Sequence, residues 1–175
     1  MALPLAALLL PAACSDNPTE DSAPGSAVSR DLDSLARETG ALPNSAQISP
    51  AGAYVRRYEG GGDRLCLVPE DDGKRRFRFG AETRFGGDEY CLGRGKARLA
   101  GSKLLLDFDM SMGSQPCTIV AEYEGDRIIL PGSIDIACAA LCSDRGSFAG
   151  VSFPRATREV APESLKDRNS AALCR

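Results

Sequence analysis

Between Ala53 and Pro154 apolar and polar residues alternate with a period of two, and turn-forming residues recur about every 8–12 positions. Successive side chains of a strand point to opposite faces, so this pattern builds strands with one buried face and excludes a helical bundle. It predicts strands at 53–58, 64–69, 75–83, 89–99, 103–110, 117–124, 127–130 and 147–153. The expected fold is mainly β, a small antiparallel meander closing into a barrel or sandwich of about eight strands. A short N-terminal helix precedes it: Ser29 or Asp31 can cap, Leu32, Leu35 and Ala36 share a face, and Gly40 stops it. A short C-terminal helix is expected from Pro162, and Ile134 to Leu141 reads as a strand followed by a helical turn.

Three hairpins fix the registers this reading expects. A two-residue turn at Gly101-Ser102 places Leu99 opposite Leu104, Ala97 opposite Leu106 and Gly95 opposite Phe108. On the other face Lys96 then meets Asp107, and Arg94 meets Asp109. A turn at Gly125-Asp126 sets Tyr123 against Ile128 and Ala121 against Leu130, with Glu124 beside Arg127. A turn at Asp72-Gly73 sets Val68 against Phe77 and Cys66 against Phe79. A slip of one residue would turn every side chain of a strand to the opposite face. Val68, Phe77, Phe79, Leu104, Leu106, Phe108 and Tyr123 are the inward candidates: a structural protein would fill the interior with them, whereas a ligand carrier would keep an apolar cavity there.

The chain holds 7 Cys and no His. Without His there is no Ser-His-Asp triad, no Cys-His pair and no His metal ligand. Six cysteines lie in the body: Cys66, Cys91, Cys117, Cys138, Cys142 and Cys174. An even set in a small β domain reads as three disulfides. The expected register sets Cys66 and Cys91 too far apart to join, and Cys142–Cys174 is the preferred clamp for the tail. Cys138 and Cys142 have the i, i+4 spacing of metal ligands, but scattered partners and absent His argue against zinc or an iron–sulfur cluster. A redox pair lacks its C-x-x-C. No metal and no cofactor is expected.

The first thirteen residues are uncharged and apolar, too short a run to cross a bilayer. They end Leu10-Pro11-Ala12-Ala13-Cys14, which resembles a bacterial lipobox. The resemblance implies cleavage before Cys14 and acylation (palmitate-type chains) of its thiol and new amine. Residues 1–13 would be the signal peptide, and 14–29, rich in Ser, Pro, Asp and Glu, a flexible tether. Residues 30–175 would form a single domain. No Lys or Arg precedes the apolar run, so an upstream start codon is expected. The implied address is the bacterial envelope, with Cys14 acyl chains in the bilayer. By enterobacterial sorting rules Ser15 favours the periplasmic face of the outer membrane.

Residues 74–98 hold eight basic and three acidic side chains in a chain of net charge −3. Lys74, Arg76 and Arg78 are expected outward beside Arg94, Lys96 and Arg98. Like charges facing across strands cost about 0.2–1 kcal/mol per pair, so the cluster reads either as an anion-contact face or, with Asp107 and Asp109 pairing Lys96 and Arg94, as a solvated, partly paired face, which is the preferred reading. Nucleic acid does not fit the net negative charge, the inward aromatics or the exported address. The Gly-rich stretches Glu59–Asp63 and Phe85–Asp88 match no phosphate-binding fingerprint and read as turns. Carboxylate pairs such as Asp107 with Glu122 could in principle run acid/base chemistry, but nothing marks them as convergent. Ser147 and Ser152 lack a base, so no catalytic residue is assigned. The sequence thus points to a tethered binding or inhibitory module for an anionic envelope component or protein. A structural envelope lipoprotein without a ligand site comes second, and a carboxylate-based hydrolase third.

Overall fold

The computed structural model describes residues 44–156 except 60 and 71–74, residues 161–175, and Leu32, Leu35, Ala36 and Thr39–Ala41. Cys14, Lys74, the signal peptide, the tether, the Asp72-Gly73 turn and most of the expected N-terminal helix lie outside these residues. Leu32 and Leu35, its expected apolar stripe, are 60% and 55% exposed.

Eight strands form one antiparallel sheet in simple sequence order. They are β1 (Gly52–Tyr58), β2 (Gly61–Pro69), β3 (Arg76–Gly86), β4 (Glu89–Ala100), β5 (Lys103–Phe108), β6 (Cys117–Tyr123), β7 (Arg127–Ile129) and β8 (Ser152–Pro154). Past β8, Arg155 bridges to Tyr54 and the Ala156 amide donates to the Ala53 carbonyl at 2.8 Å. The last strand thus returns to the first, and the sheet is a nearly closed barrel with few unpaired edges.

The interior is packed with side chains from every strand. Tyr54, Leu65, Leu67, Phe77, Phe79, Leu104, Leu106, Ile119, Tyr123, Ile128 and Phe153 are fully buried. Phe79 meets Phe108 edge-on with ring centroids 4.9 Å apart, and Phe148 lies 5.6 Å beyond Phe108. That end of the barrel is closed by the segment between β7 and β8. Asp135 caps a short 3-10 helix, Ile136–Leu141, by accepting from the Ala137 amide. Two disulfides, Cys91–Cys142 and Cys117–Cys138, tie this plug to β4 and β6. The strand expected ahead of this helix does not form. Likewise only the last residues of the expected 147–153 strand join the sheet, because Phe148 is used in the plug.

Arg155 fastens the opposite end. Its guanidinium donates to the Ser49, Ala51 and Gly125 carbonyls and to the Tyr123 hydroxyl, and lies over the Tyr54 ring. Burial pushes the Tyr54 phenol above its ordinary pKa against the opposing pull of Arg155.

The β4–β5 register is the expected one, with Gly95 opposite Phe108, Ala97 opposite Leu106 and Leu99 opposite Leu104. Tyr123 likewise faces Ile128. The β2–β3 hairpin differs by one residue: Phe77 pairs with Pro69 rather than Val68, and Phe79 with Leu67 rather than Cys66. The connection is longer than a two-residue turn, since the Glu70 amide bonds the Arg76 carbonyl across it. Leu65 and Leu67 therefore point inward, and Cys66 and Val68 point out. Val68 leaves the interior and joins Leu92, Leu165 and Leu173 in a second cluster outside the barrel.

The slip also corrects the tail clamp. Cys174 bonds Cys66 across the outside of the sheet, and Cys142 is already taken by Cys91. The tail is not a helix. It makes one 3-10 turn at Pro162–Ser164, then folds back on itself with Lys166 bridged to Ala172. The Asp167 carboxylate accepts from the Asn169 and Ala171 amides, a local alternative that competes with helix formation. Of the Gly-rich stretches, Gly86 and Gly87 make a turn with positive φ, as expected. Gly61 and Gly62 instead belong to β2, paired with Tyr58 and Arg57.

Candidate functional site

The side chains singled out from the sequence divide into two groups on the outer surface. The first is the bare outer face of β3 and β4. In this register Arg76 stands opposite Arg98, and Arg78 opposite Lys96. All four are exposed. Arg78, Lys96 and Arg98 make no ion pair with any described residue. Asp107 stands opposite Lys96, but its carboxylate accepts the Thr118 hydroxyl at 2.7 Å. Two like-charge pairs thus stand side by side, and a like-charge pair that nothing offsets costs about 0.2–1 kcal/mol of stability.

The second group is covered. Arg94 projects from the same face of β4, but the C-terminal tail lies over it. It pairs with the Asp167 carboxylate and donates to the Leu173 carbonyl at 3.0 Å. Burial raises the Asp167 carboxyl, yet the Ala171 and Asn169 amides and Arg94 outweigh that and hold its pKa below the usual carboxylate value. Arg64 donates to the Lys166 carbonyl at 2.7 Å. Gly80 leaves no room for a side chain, because a Cβ there would meet the Leu173 carbonyl oxygen. The basic segment is therefore split: Arg94 holds the tail, and Arg76, Arg78, Lys96 and Arg98 remain presented to solvent.

The carboxylate pair considered for hydrolysis does not converge. Glu122 faces and pairs with Lys103, whereas Asp107 faces Thr118 at the far end of β5. The six body cysteines are consumed as Cys66–Cys174, Cys91–Cys142 and Cys117–Cys138. Cys66 and Cys91 lie on opposite faces of the sheet, which is why they do not join. Sequence reading expected Cys174 to tie the tail to the body but gave it the wrong partner, and it missed Asp167 as the partner of Arg94. Compared with known proteins, the chain matches no protein-family model, no curated protein and no solved structure.

Proposed function

We propose that this chain is a lipid-anchored bacterial envelope protein whose β domain acts as a periplasmic binding or inhibitory module for an anionic partner. In this reading Cys14 carries the acyl chains, residues 14–29 are the tether, and Arg76, Arg78, Lys96 and Arg98 make the contact. The observation that carries it is the pair of facing cation rows on an outer face left bare beside one that the tail covers. Facing cations of which Arg78, Lys96 and Arg98 hold no ion pair among the described residues suit an external anion.

A second reading, a structural envelope lipoprotein, draws support from the barrel interior, which the buried side chains of the described strands fill. One experiment separates them. The full chain is titrated with vesicles containing phosphatidylglycerol, with neutral vesicles, and with poly-glutamate as an acidic polypeptide. Binding to an anionic probe that falls with added salt, and that the double change Arg78→Glu and Lys96→Glu removes, supports the binding module. No binding to any of them supports the structural role. Intact-mass measurement from a membrane fraction tests the anchor: loss of residues 1–13 and a lipid-sized gain at Cys14 are expected, and an unlipidated chain would contradict it.

A further inference from the structure

On the far side of the tail from the β3–β4 face lies an open groove of about 870 Å³. Its walls are β1 and β2, the chain just after β8, and the tail at Ser164–Lys166. Arg56, Arg57, Arg64, Arg155 and Lys166 line it, and no Asp or Glu does among the described residues. Two of these cations are held by buried carboxylates, Arg56 at the inner side of β1, where it follows Tyr54 and faces Asp63, and Arg64 on the outer side. Arg56 donates to buried Asp63 at 2.7 Å, and Arg64 lies 3.7 Å from buried Glu82. Arg155 is held by carbonyl oxygens rather than by a carboxylate. Arg57 and Lys166 have no side-chain partner among the described residues.

The floor is low because Gly62 has no side chain, and a Cβ there would press on the Arg56 carbonyl oxygen. The Tyr58 ring lies alongside. Its hydroxyl donates to the Arg84 carbonyl, which holds the ring at the rim. Guanidinium groups fixed by buried partners are preorganised, so an anion arriving there pays little to order them. The volume exceeds what one small anion fills and lies in the range of small-molecule sites. Cations drawn from β1, β2, the post-β8 segment and the tail suit a ligand with more than one anionic group.

We infer that this groove is a binding site for a small polyanion bearing two or more phosphoryl groups, distinct from the β3–β4 face. The shared chemistry, a phosphoryl group between guanidiniums, could be presented by a soluble phosphate ester or by a phospholipid headgroup.

The test uses the 175-residue chain, ¹⁵N-labelled, titrated with inorganic pyrophosphate and separately with vesicles of cardiolipin, whose headgroup carries two phosphodiesters. Pyrophosphate is expected to shift the amides of Gly61, Gly62, Arg64 and Ser164 saturably. The double change Arg57→Glu and Lys166→Glu should weaken this at least about tenfold, and Arg78→Glu with Lys96→Glu should leave it unchanged. Unmoved amide signals from β5 check that each variant folds. The milder Arg57→Gln and Lys166→Gln replace the reversals if it does not, with a smaller loss in the same direction. Vesicle binding that the groove variants abolish assigns the phosphoryl group to a lipid. Vesicle binding unaffected by them, with pyrophosphate still seated, assigns it to a soluble ester. Absence of groove shifts, or pyrophosphate binding indifferent to both sets of groove variants, would overturn the inference whether or not the β3–β4 face binds anything.

Discussion

The strands β2 and β6 show two ways of using a sheet surface. Along β6 burial alternates residue by residue: Cys117, Ile119, Ala121 and Tyr123 face the core, and Thr118, Val120 and Glu122 face water. Along β2 both faces are covered. Leu65 and Leu67 line the interior, and Cys66 on the opposite side is also fully buried, beneath the tail. The neighbouring strand repeats this: Phe79 and Ala81 lie inside, while Gly80 and Glu82 are buried outside. The tail thus turns part of a two-layered barrel wall into a three-layered one and stops short of the cation rows. Where the outer face is strapped, its residues hold the fold together. Where it is bare, its charges are available to a partner.

The largest effect should come from releasing the strap. Cys66–Cys174 closes a separation of 108 residues and Cys117–Cys138 one of 21. Chain-entropy estimates are about 4.8 and about 3.3 kcal/mol respectively. Urea denaturation of C66A/C174A and C117A/C138A should therefore rank the strap as the costlier loss, and the reverse order would show that the tail contributes little.

Next comes Gly80→Ala. Its new methyl must displace the Leu173 carbonyl, an overpacking cost of about 1–3 kcal/mol. Tail amides should exchange faster in this variant, whereas Val120→Ala on the bare side should stay within about 0.5 kcal/mol of the parent.

Asp167→Asn should cost about 1–2 kcal/mol at neutral pH, from the lost charge on a hydrogen-bonded pair with Arg94. Its pH dependence has a definite sign. The folded pKa lies below the unfolded carboxyl value of about 3.9, so the Asp167 contribution is whole above that pH and disappears as pH falls through the folded pKa. Stability curves of parent and variant should converge in acid below about pH 4, and parallel curves would refute the assignment.

The smallest effect is a gain. Arg78→Glu replaces a like-charge pair with an opposite-charge one facing Lys96, so thermal melting should show stabilisation by a few tenths to about 1 kcal/mol. A loss would mean that Arg78 has a structural partner.

Much of this division was legible in the sequence. The β4–β5 hairpin was, because strict alternation and a Gly-Ser turn with positive φ at Gly101 admit one register. That register also placed Lys96 and Arg98 outside, and the inward Phe77 and Phe79 placed Arg76 and Arg78 there. The β2–β3 register was not. Leu65, Cys66, Leu67 and Val68 form an unbroken apolar run, which period two cannot orient when both faces are covered. The assumed two-residue turn then chose the wrong face. That one residue hid the outward Cys66, and with it the partner of Cys174 and the whole strap. Arg94 looked like its neighbours because its partner, Asp167, is 73 residues away in sequence.

Hydrogen–deuterium exchange of the full chain, with and without saturating phosphatidylglycerol vesicles, tests the central claim most directly. The account predicts slowed exchange at residues 75–78 and 96–98, reversed by added salt, with β6 unchanged. No protection at those residues under conditions where the chain is bound would contradict it.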